Sequence, residues 1–447
     1  MNTPPSDYLA DFQSVRDGLP GMQAAWLRSL RDTAMETFMD RGYPTTRVEE
    51  WKYTNLRALA KNHFRAPAGQ GRVDAAALDG WLLEAETVHR LVFIDGRYSA
   101  ELSSAALPSD GITITSLSEA LEGNPDMLEP HLGSTVALEE PGFNAMNTAF
   151  MRDGACIRLE QGTVLDRPVH LLFVASGTPD ALTAVRNVVV AEAQSRATIV
   201  ESWASLNGAS RLTSAITEII LADNAAVEHY KLGQEGESGY HMAGIYVRQG
   251  SDSRFSSHNC SLGGRLVRND IQVALDGSGA ECTLNGLYVT RGRQHIDNHT
   301  RIDHNRPQAS SREWYKGVLD DRSRAVFDGR IVVHRDAQQT VAEQGNHNLL
   351  LSKNAEVDAK PQLEIYADDV QCAHGCTVGQ LDETALFYLR TRGIEETVAR
   401  HLLVYAFAVD VLERMRIRSV RRLLERHLTG RLMHNTGAPG GTDGNDA

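Results

Sequence analysis

The chain has 447 residues, 42% apolar and 23% charged, with a formal net charge of −13. That length gives two or three domains and at least one sizeable core. The acidic balance argues against a broad nucleic-acid surface and against adhesion to an anionic membrane, and the longest apolar run, Leu402 to Val409, falls far short of the roughly 18 residues a membrane span needs.

The start, MNTPPSDYLADFQ, carries neither a basic-then-apolar signal nor an Arg-rich transit pattern. Five cysteines in so long a chain make no disulfide framework, so a reducing cytoplasm is expected. To about residue 88 the pattern is helical. In GMQAAWLRSLRDTAMETFMDRGYP, Met22, Trp26, Leu30, Ala34 and Phe38 recur every fourth residue, one face of a helix that Gly42 and Pro44 end. In TTRVEEWKYTNLRALA, Thr45 or Thr46 is placed to cap a second helical turn, with Trp51 and Leu56 beneath it. VDAAALDGWLLEAE reads as a third short helix. HRLVFIDGRYSAELS then switches to a hairpin with Asp95 and Gly96 at its turn.

From about Pro141 to Asp382 helical periodicity nearly disappears. Short alternating stretches such as RNVVVAEAQSRATIVESW and NDIQVALDGSGAECTLNGLYVT read as strands. They repeat. A turn such as AQSRA, ADNAA, QGSDS or DGSGA precedes each strand, and Ala197, Ala225, Ser253, Ala280 and Ala309 mark it at spacings of 28, 28, 27 and 29. A propeller blade needs about 40–45 residues and four strands, whereas each period here holds about two. A β-helix is the better fit, and its open ends need covering, a job the flanking helices are expected to do.

After Asp382 helix returns. DETALFYLRTRGI runs from a capping Asp382 to Gly393. EETVARHLLVYAFAVDVLERM places Val398, Leu402, Ala406, Val409 and Leu412 on one face, and RSVRRLLERHLTGRL continues with Val420, Leu423, Leu424 and Leu428. The Gly-rich tail NTGAPGGTDGNDA is expected to be disordered. The domains expected are 1–135, mainly helical with a hairpin; 136–382, β-helix; 383–434, helical; and 435–447, tail.

No P-loop, G-x-S-x-G elbow, H-E-x-x-H helix or EF-hand loop is present, which argues against an enzyme. One constellation has ligand chemistry: Cys372-x-His374-x-Cys376. Thiolate and imidazole suit iron–sulfur, zinc or copper(I) centres. On a strand the three share one side, because the side-chain period is two. They cannot close a tetrahedral site alone, and the alternative is that the cysteines are small buried hydrophobes. His295, His299 and His304 lie close together but read as a polar outer face of the solenoid, and His334 and His347 have similar status. Asp368 and Asp369 are adjacent, so they point to opposite faces and fit poorly the paired carboxyls of a glycosidase. A β-helix carbohydrate-active enzyme therefore stands only as an alternative. Arg414, Arg416, Arg418, Arg421, Arg422, Arg426 and Arg431 make a basic stripe, either a solvated face or a docking surface for an acidic partner.

EEWKYTNLRAL, NTAFMRDGACIRL, ARHLLVYAFA and the long run from Phe327 to Ile394 resemble the SufB/SufD family of the SUF iron–sulfur cluster assembly machinery, on its SufD side. The resemblance covers nearly the whole chain. It implies a right-handed parallel β-helix core between N- and C-terminal helical domains, and a scaffold subunit rather than a catalyst. It implies pairing with a SufB-like subunit through the end of the β-helix and binding of a SufC-like ATPase through the C-terminal helices. A homodimer through the same end is expected in isolation. His374 matches the family's interface ligand for iron or a nascent cluster, and Cys372 a second thiol there. The implied cargo is transient iron or an Fe–S cluster, with no cofactor bound by this chain alone.

Overall fold

The repeated turns become the corners of a parallel β-helix in the computed structural model, which describes residues 7–84, 88–104, 110–138 and 142–433. The tail 435–447 lies outside the described residues. A hairpin comes first, β1 (His89–Ile94) and β2 (Arg97–Tyr98), and then β3 (Ile112–Ser116). The helix body begins with β4 (Ala155–Leu159), β5 (Val169–Ala175), β6 (Ala181–Ala191), β7 (Arg196–Ser205), β8 (Arg211–Leu221), β9 (Ala226–Gln234), β10 (Gly239–Gln249) and β11 (Arg254–Ser261). It continues with β12 (Leu266–Leu275), β13 (Glu281–Thr290), β14 (His295–His304), β15 (Ser310–Leu319), β16 (Arg324–Val333), β17 (Thr340–Leu350), β18 (Glu356–Ile365) and β19 (Val370–Gly379). Odd-numbered strands from β5 stack into one sheet and even-numbered strands from β4 into another. The sixteen strands β4 to β19, two per turn, make eight turns.

The corner has a physical signature. Gln194, Asn224, Asp252, Gly279, Gln308 and Gln339 all have positive φ, between 55° and 71°. Each of these residues gives its N–H to a carbonyl of the next turn's corner, as Asn224 does to Ser251 at 2.8 Å. The residue that follows turns inward and must be small: Ser195, Ala225, Ser253, Ala280, Ala309 and Thr340 are all buried. The strand register aligns these six. Ala197, which the sequence pattern placed in this series, sits two residues further along its strand, and Ser195 takes its place.

Inward side chains stack from turn to turn. Phe93, Phe173 and Trp203 occupy one register position and lie face to face, with centroids 4.8 Å and 4.1 Å apart. Further on, large and small residues alternate. The Tyr288 ring fills the space above Gly317, and the Tyr315 ring that above Gly286.

Helices clothe the sides of this solenoid. They are α1 (Asp7–Val15), α2 (Ala25–Arg41), α3 (Leu117–Gly123), α4 (Phe143–Phe150), α5 (Glu383–Thr391), α6 (Glu396–Glu413) and α7 (Arg418–Met433). Helices α1, α2 and α4 pack on the outer face of the even sheet around Leu212, Tyr240 and Met242. Helices α6 and α7 pack on the odd sheet around Tyr230, Leu232 and Leu287. The expectation that helices cover the ends is therefore not met. The first turn is finished by strands: β2 and β3 run antiparallel to β1 and β4, and Ser99, Ser103 and Ser104 bond the outer edge of β1.

Three other helical expectations change in detail. Helix α2 buries Leu27, Arg31, Ala34, Met35 and Phe38, a face rotated from the expected one, because Arg31 is drawn in to the carbonyls of Pro20 and Met151 at 3.0 and 2.8 Å. The TTRVEEW segment forms only a 3-10 turn, Glu49–Trp51, with no threonine cap, although Trp51 and Leu56 are buried as expected. The third helix is a single 3-10 turn, Ala75–Leu78, capped by Asp74.

A Cβ on Gly317 would sit 2.1 Å from the Tyr288 ring and 2.5 Å from Asn348 Oδ1. Gly317→Ala is expected to cost about 1–3 kcal/mol by overpacking, read as a lowered urea midpoint with the far-ultraviolet spectrum unchanged.

Candidate functional site

Strand β19 is the last strand of the odd sheet and, among the described residues, pairs only with β17. The register sets Cys372 on Ala342, His374 on Gln344 and Cys376 on Asn346. Those three partners are buried inside the solenoid. Cys372, His374 and Cys376 therefore share one side, as the strand period required, and that side is the inward one. Among the described residues no further turn covers it. Cys372 is half-buried against the core, while His374 and Cys376 are exposed. The even sheet ends in the same way, with Val357 and Leu363 of β18 half-buried and Ile365 exposed. Val378, 52% exposed, and Tyr366, 60% exposed, stand on the rim.

The donors are spread along the strand. Residues two apart on one face are separated by about 6.8 Å. Zinc or iron bonds of about 2.0–2.3 Å let one ion reach two neighbouring donors but not all three. Among the described residues no group of three or more His, Cys, Asp or Glu is arranged to hold a metal. Burial raises the Cys372 thiol above its ordinary range. The end thus offers one or two ligands facing outward along the solenoid axis, and completion needs donors from another molecule.

The other candidates lie elsewhere. His295 and His299 lie on the outer face of β14, as expected, and Thr54 of the EEWKYTN segment covers His295. His295 Nε2 is 2.8 Å from Thr54 Oγ1, and His299 Nε2 is 2.9 Å from Asp297 Oδ1. His304 points inward, Nε2 at 2.9 Å from Ser311 Oγ, and burial lowers it to about 4. Asp297 also binds Arg268, whose guanidinium lies 3.8 Å from the Trp51 ring. Burial opposes a charge on Arg268, but Asp270 and Asp297 raise its pKa nonetheless. The EEW segment is thus a clamp onto β12 and β14. A cavity of about 670 Å³ lies beside it, with Arg268, Arg330 and Lys360 already paired to Asp270, Glu364 and Glu49. His347 turns outward against Trp314 and bonds Thr377 at 2.8 Å. His334, Asp368 and Asp369 are exposed. Sequence reasoning missed Glu313 and Gln344, which lie in the same inward column as His374; the only signal was their place in the alternation of β15 and β17.

The C-terminal helices carry two apolar faces. Val404, Ala408, Val411 and Leu412 of α6 pack on the solenoid, whereas Val398 and Leu402, which the sequence pattern placed on one face with Leu412, are about half exposed. Phe387 and Tyr388 of α5 are 68% and 56% exposed. The arginines do not form one stripe. Arg431 donates to Gln294, and Arg414 lies over Trp314, while Arg416, Arg418, Arg422 and Arg426 face solvent.

With this geometry in place, comparison with known proteins is decisive. Residues 173–407 match the family model for "SUF system FeS cluster assembly, SufBD core domain", and residues 2–171 match that for the SufBD protein N-terminal region. The chain belongs to the SufBD family. It is 34% identical over 385 residues to the iron–sulfur cluster assembly protein SufD of Escherichia coli, covering 86% of this chain and 88% of that one. It is 33% identical over 410 residues to a SufBD family protein of Synechocystis, covering 90% of each. The chloroplastic protein ABCI7 of Arabidopsis thaliana is 28% identical over 433 residues. The chain is therefore an iron–sulfur cluster assembly protein of the SUF system and not an enzyme, which displaces the carbohydrate-active alternative. No helix among the described residues is long and apolar enough to cross a membrane.

Thiol reactivity tests the placement of the end. Burial pushes Cys156 up to about 11 and Cys260 to about 12, and Cys282 is fully buried as well. In dilute native protein, pulsed alkylation read by mass spectrometry is expected to label Cys376 first and Cys372 more slowly. Cys156, Cys260 and Cys282 are expected to react only after denaturation.

Proposed function

We propose that the chain is the SufD-type half of an iron–sulfur assembly site, joined end to end with a SufB-like subunit at β18 and β19. The observation that carries this reading is the uncovered inward face of the last turn. There, core positions meet solvent with Cys372 and His374 at the centre. In this reading His374 and Cys372 contribute ligands for iron or a nascent cluster, which are the cargo, and the partner supplies the remainder. Cys376 lies one strand step beyond His374 and has no assigned role. Without a partner the same end pairs with a second copy. The five unpaired cysteines fit a reducing, cytoplasmic setting.

The exposed apolar residues of α5 and the outer face of α6 support a second contact, with a SufC-like ATPase. They begin just past β19, where the Asp382 side chain caps α5 by accepting from the Thr384 N–H at 2.8 Å.

Two measurements test these assignments. Co-expressed with SufB- and SufC-like partners, His374→Ala is expected to lower the cluster content of the complex several-fold while the complex stays assembled; an unchanged content rules out the ligand role. Phe387→Glu with Leu402→Glu leaves the buried face of α6 intact and is expected to abolish co-purification of the ATPase. Retained ATPase would move its docking site elsewhere.

A further inference from the structure

Behind His374 the register places Gln344 on β17 and Glu313 on β15 in one inward column. Adjacent strands are about 4.8 Å apart, so Glu313 lies about 10 Å inside the open end. Both side chains are buried. Gln344 Nε2 donates to Glu313 Oε2 at 2.6 Å. The pair has a built seat, since a Cβ on Gly329 of β16 would sit 2.3 Å from Gln344 Nε2.

The groups facing the Glu313 carboxyl carry no positive charge. Thr300 approaches from β14, Cys282 from β13 and Gln344 from β17, with Tyr315 beside it on its own strand. Strand β16 contributes Phe327 and Gly329. Glu313 Oε1 and Gln344 Oε1 are buried with no hydrogen-bond partner. A carboxyl so placed is stabilised either by a proton or by a nearby positive charge. Burial pushes Glu313 up to about 7, where both forms are accessible.

We propose that Glu313 is the buried counter-charge of the end site, holding a proton while the end is empty and releasing it when a divalent cation binds His374 and Cys372. This rests on the reading of those two residues as the capture site. The step is a proton dissociation: the carboxylic O–H bond breaks, its electron pair stays on the carboxylate, and the proton leaves to buffer alongside that of the Cys372 thiol. Glu313 touches no cation and acts as a positioning charge through the column. A divalent cation that displaces the Cys372 thiol proton adds one net positive charge, and a unit charge about 10 Å from the carboxylate at an effective dielectric of about 20 changes affinity on the order of tenfold.

The test uses the full chain assembled with its SufB- and SufC-like partners and Co²⁺ as a spectroscopic probe. E313Q, which keeps shape and the bond to Gln344, is expected to bind Co²⁺ on the order of tenfold more weakly than wild type at pH 8, with the difference shrinking towards pH 6. Near pH 6.5 wild type is expected to release more protons per Co²⁺ than E313Q, by about half a proton. An infrared carboxylic-acid C=O band is expected in unloaded wild type at that pH, absent from E313Q and weakened on loading. Equal affinity and equal proton release in the two proteins overturn the inference, and so does a wild type that takes up no Co²⁺ at pH 8. H374A separates the two readings. If it abolishes uptake while E313Q is indistinguishable from wild type, only the role of Glu313 falls. If it leaves uptake intact, the capture site itself is misplaced and the role of Glu313 falls with it.

Discussion

One interaction holds the molecule together: each turn's N–H and C=O groups bond the turns on either side. Such a stack has two ends, and a bare end exposes a row of unpaired backbone groups. At the start of the chain that edge is resolved locally by antiparallel strands and three serines. At the other end nothing equivalent follows among the described residues. The C-terminal helices, which have the length to fold over it, are tied to the side instead. Lys316 Nζ and Trp314 Nε1 hold Asp410 of α6 at 2.9 and 3.2 Å, and Tyr230 Oη accepts from the Arg416 N–H at 3.1 Å. Unpaired backbone and inward side chains are thereby presented together, which is what a subunit joining end to end requires.

The interior that the end exposes is not uniformly apolar, and its glutamates show how local partners set charge. Burial opposes ionisation of Glu235, but Arg211 at 2.7 Å and His241 at 3.0 Å hold it well below the usual carboxylate range. Burial likewise works against Glu201, which His229 and Thr217 nevertheless lower. Lys231, near both, is lowered by desolvation to about 8. Glu313, in the same interior, has an amide and a hydroxyl nearby but no cation, and burial dominates. The three carboxyls are comparably buried, so the difference lies in the company each keeps.

The architecture was legible because its corners are chemical. A positive-φ residue followed by a small buried one recurs once per turn, and Asn, Asp and Gly favour that backbone. The frame slipped at Ala197 because Ala is also a good inward strand residue, and Gln194 and Ser195 carry no strong turn signal. Helix α4 was not legible. Its eight residues sit in a stretch read as strand, and it is fixed by Asn147, whose side chain donates to the Val185 and Ser214 carbonyls at 2.9 Å, a contact no local pattern encodes. The cover over His295 was not legible for the same reason, since it comes from Thr54, more than two hundred positions away in the chain. On α6 the apolar residues encircle more of the helix than one packing face needs, and sequence cannot say which face meets its own chain. The alignment of Cys372, His374 and Cys376 was legible from the strand period alone. That they face inward was not, because it depends on the register with β17.

The sparse ligand set follows from where the stack stops. An earlier turn would pack these positions against a neighbour, as Ala342, Gln344 and Asn346 are packed. In the last turn they have free space ahead, and strand geometry lets at most two neighbouring donors reach one ion. A protein site that supplies all four ligands holds its metal with a binding free energy large enough to drive folding, which is the wrong property for a device that must hand its cargo on. With the ligands divided across a separable surface, as in the proposed function, retention depends on how well the two ends are joined, and release needs only that joint to loosen. The chain connects the two places where this would be controlled. Only two residues separate Gly379, the last of β19, from Asp382, the cap of α5. In the proposed function, a displacement of the exposed α5–α6 surface would reach the strand that carries His374 through this short tether.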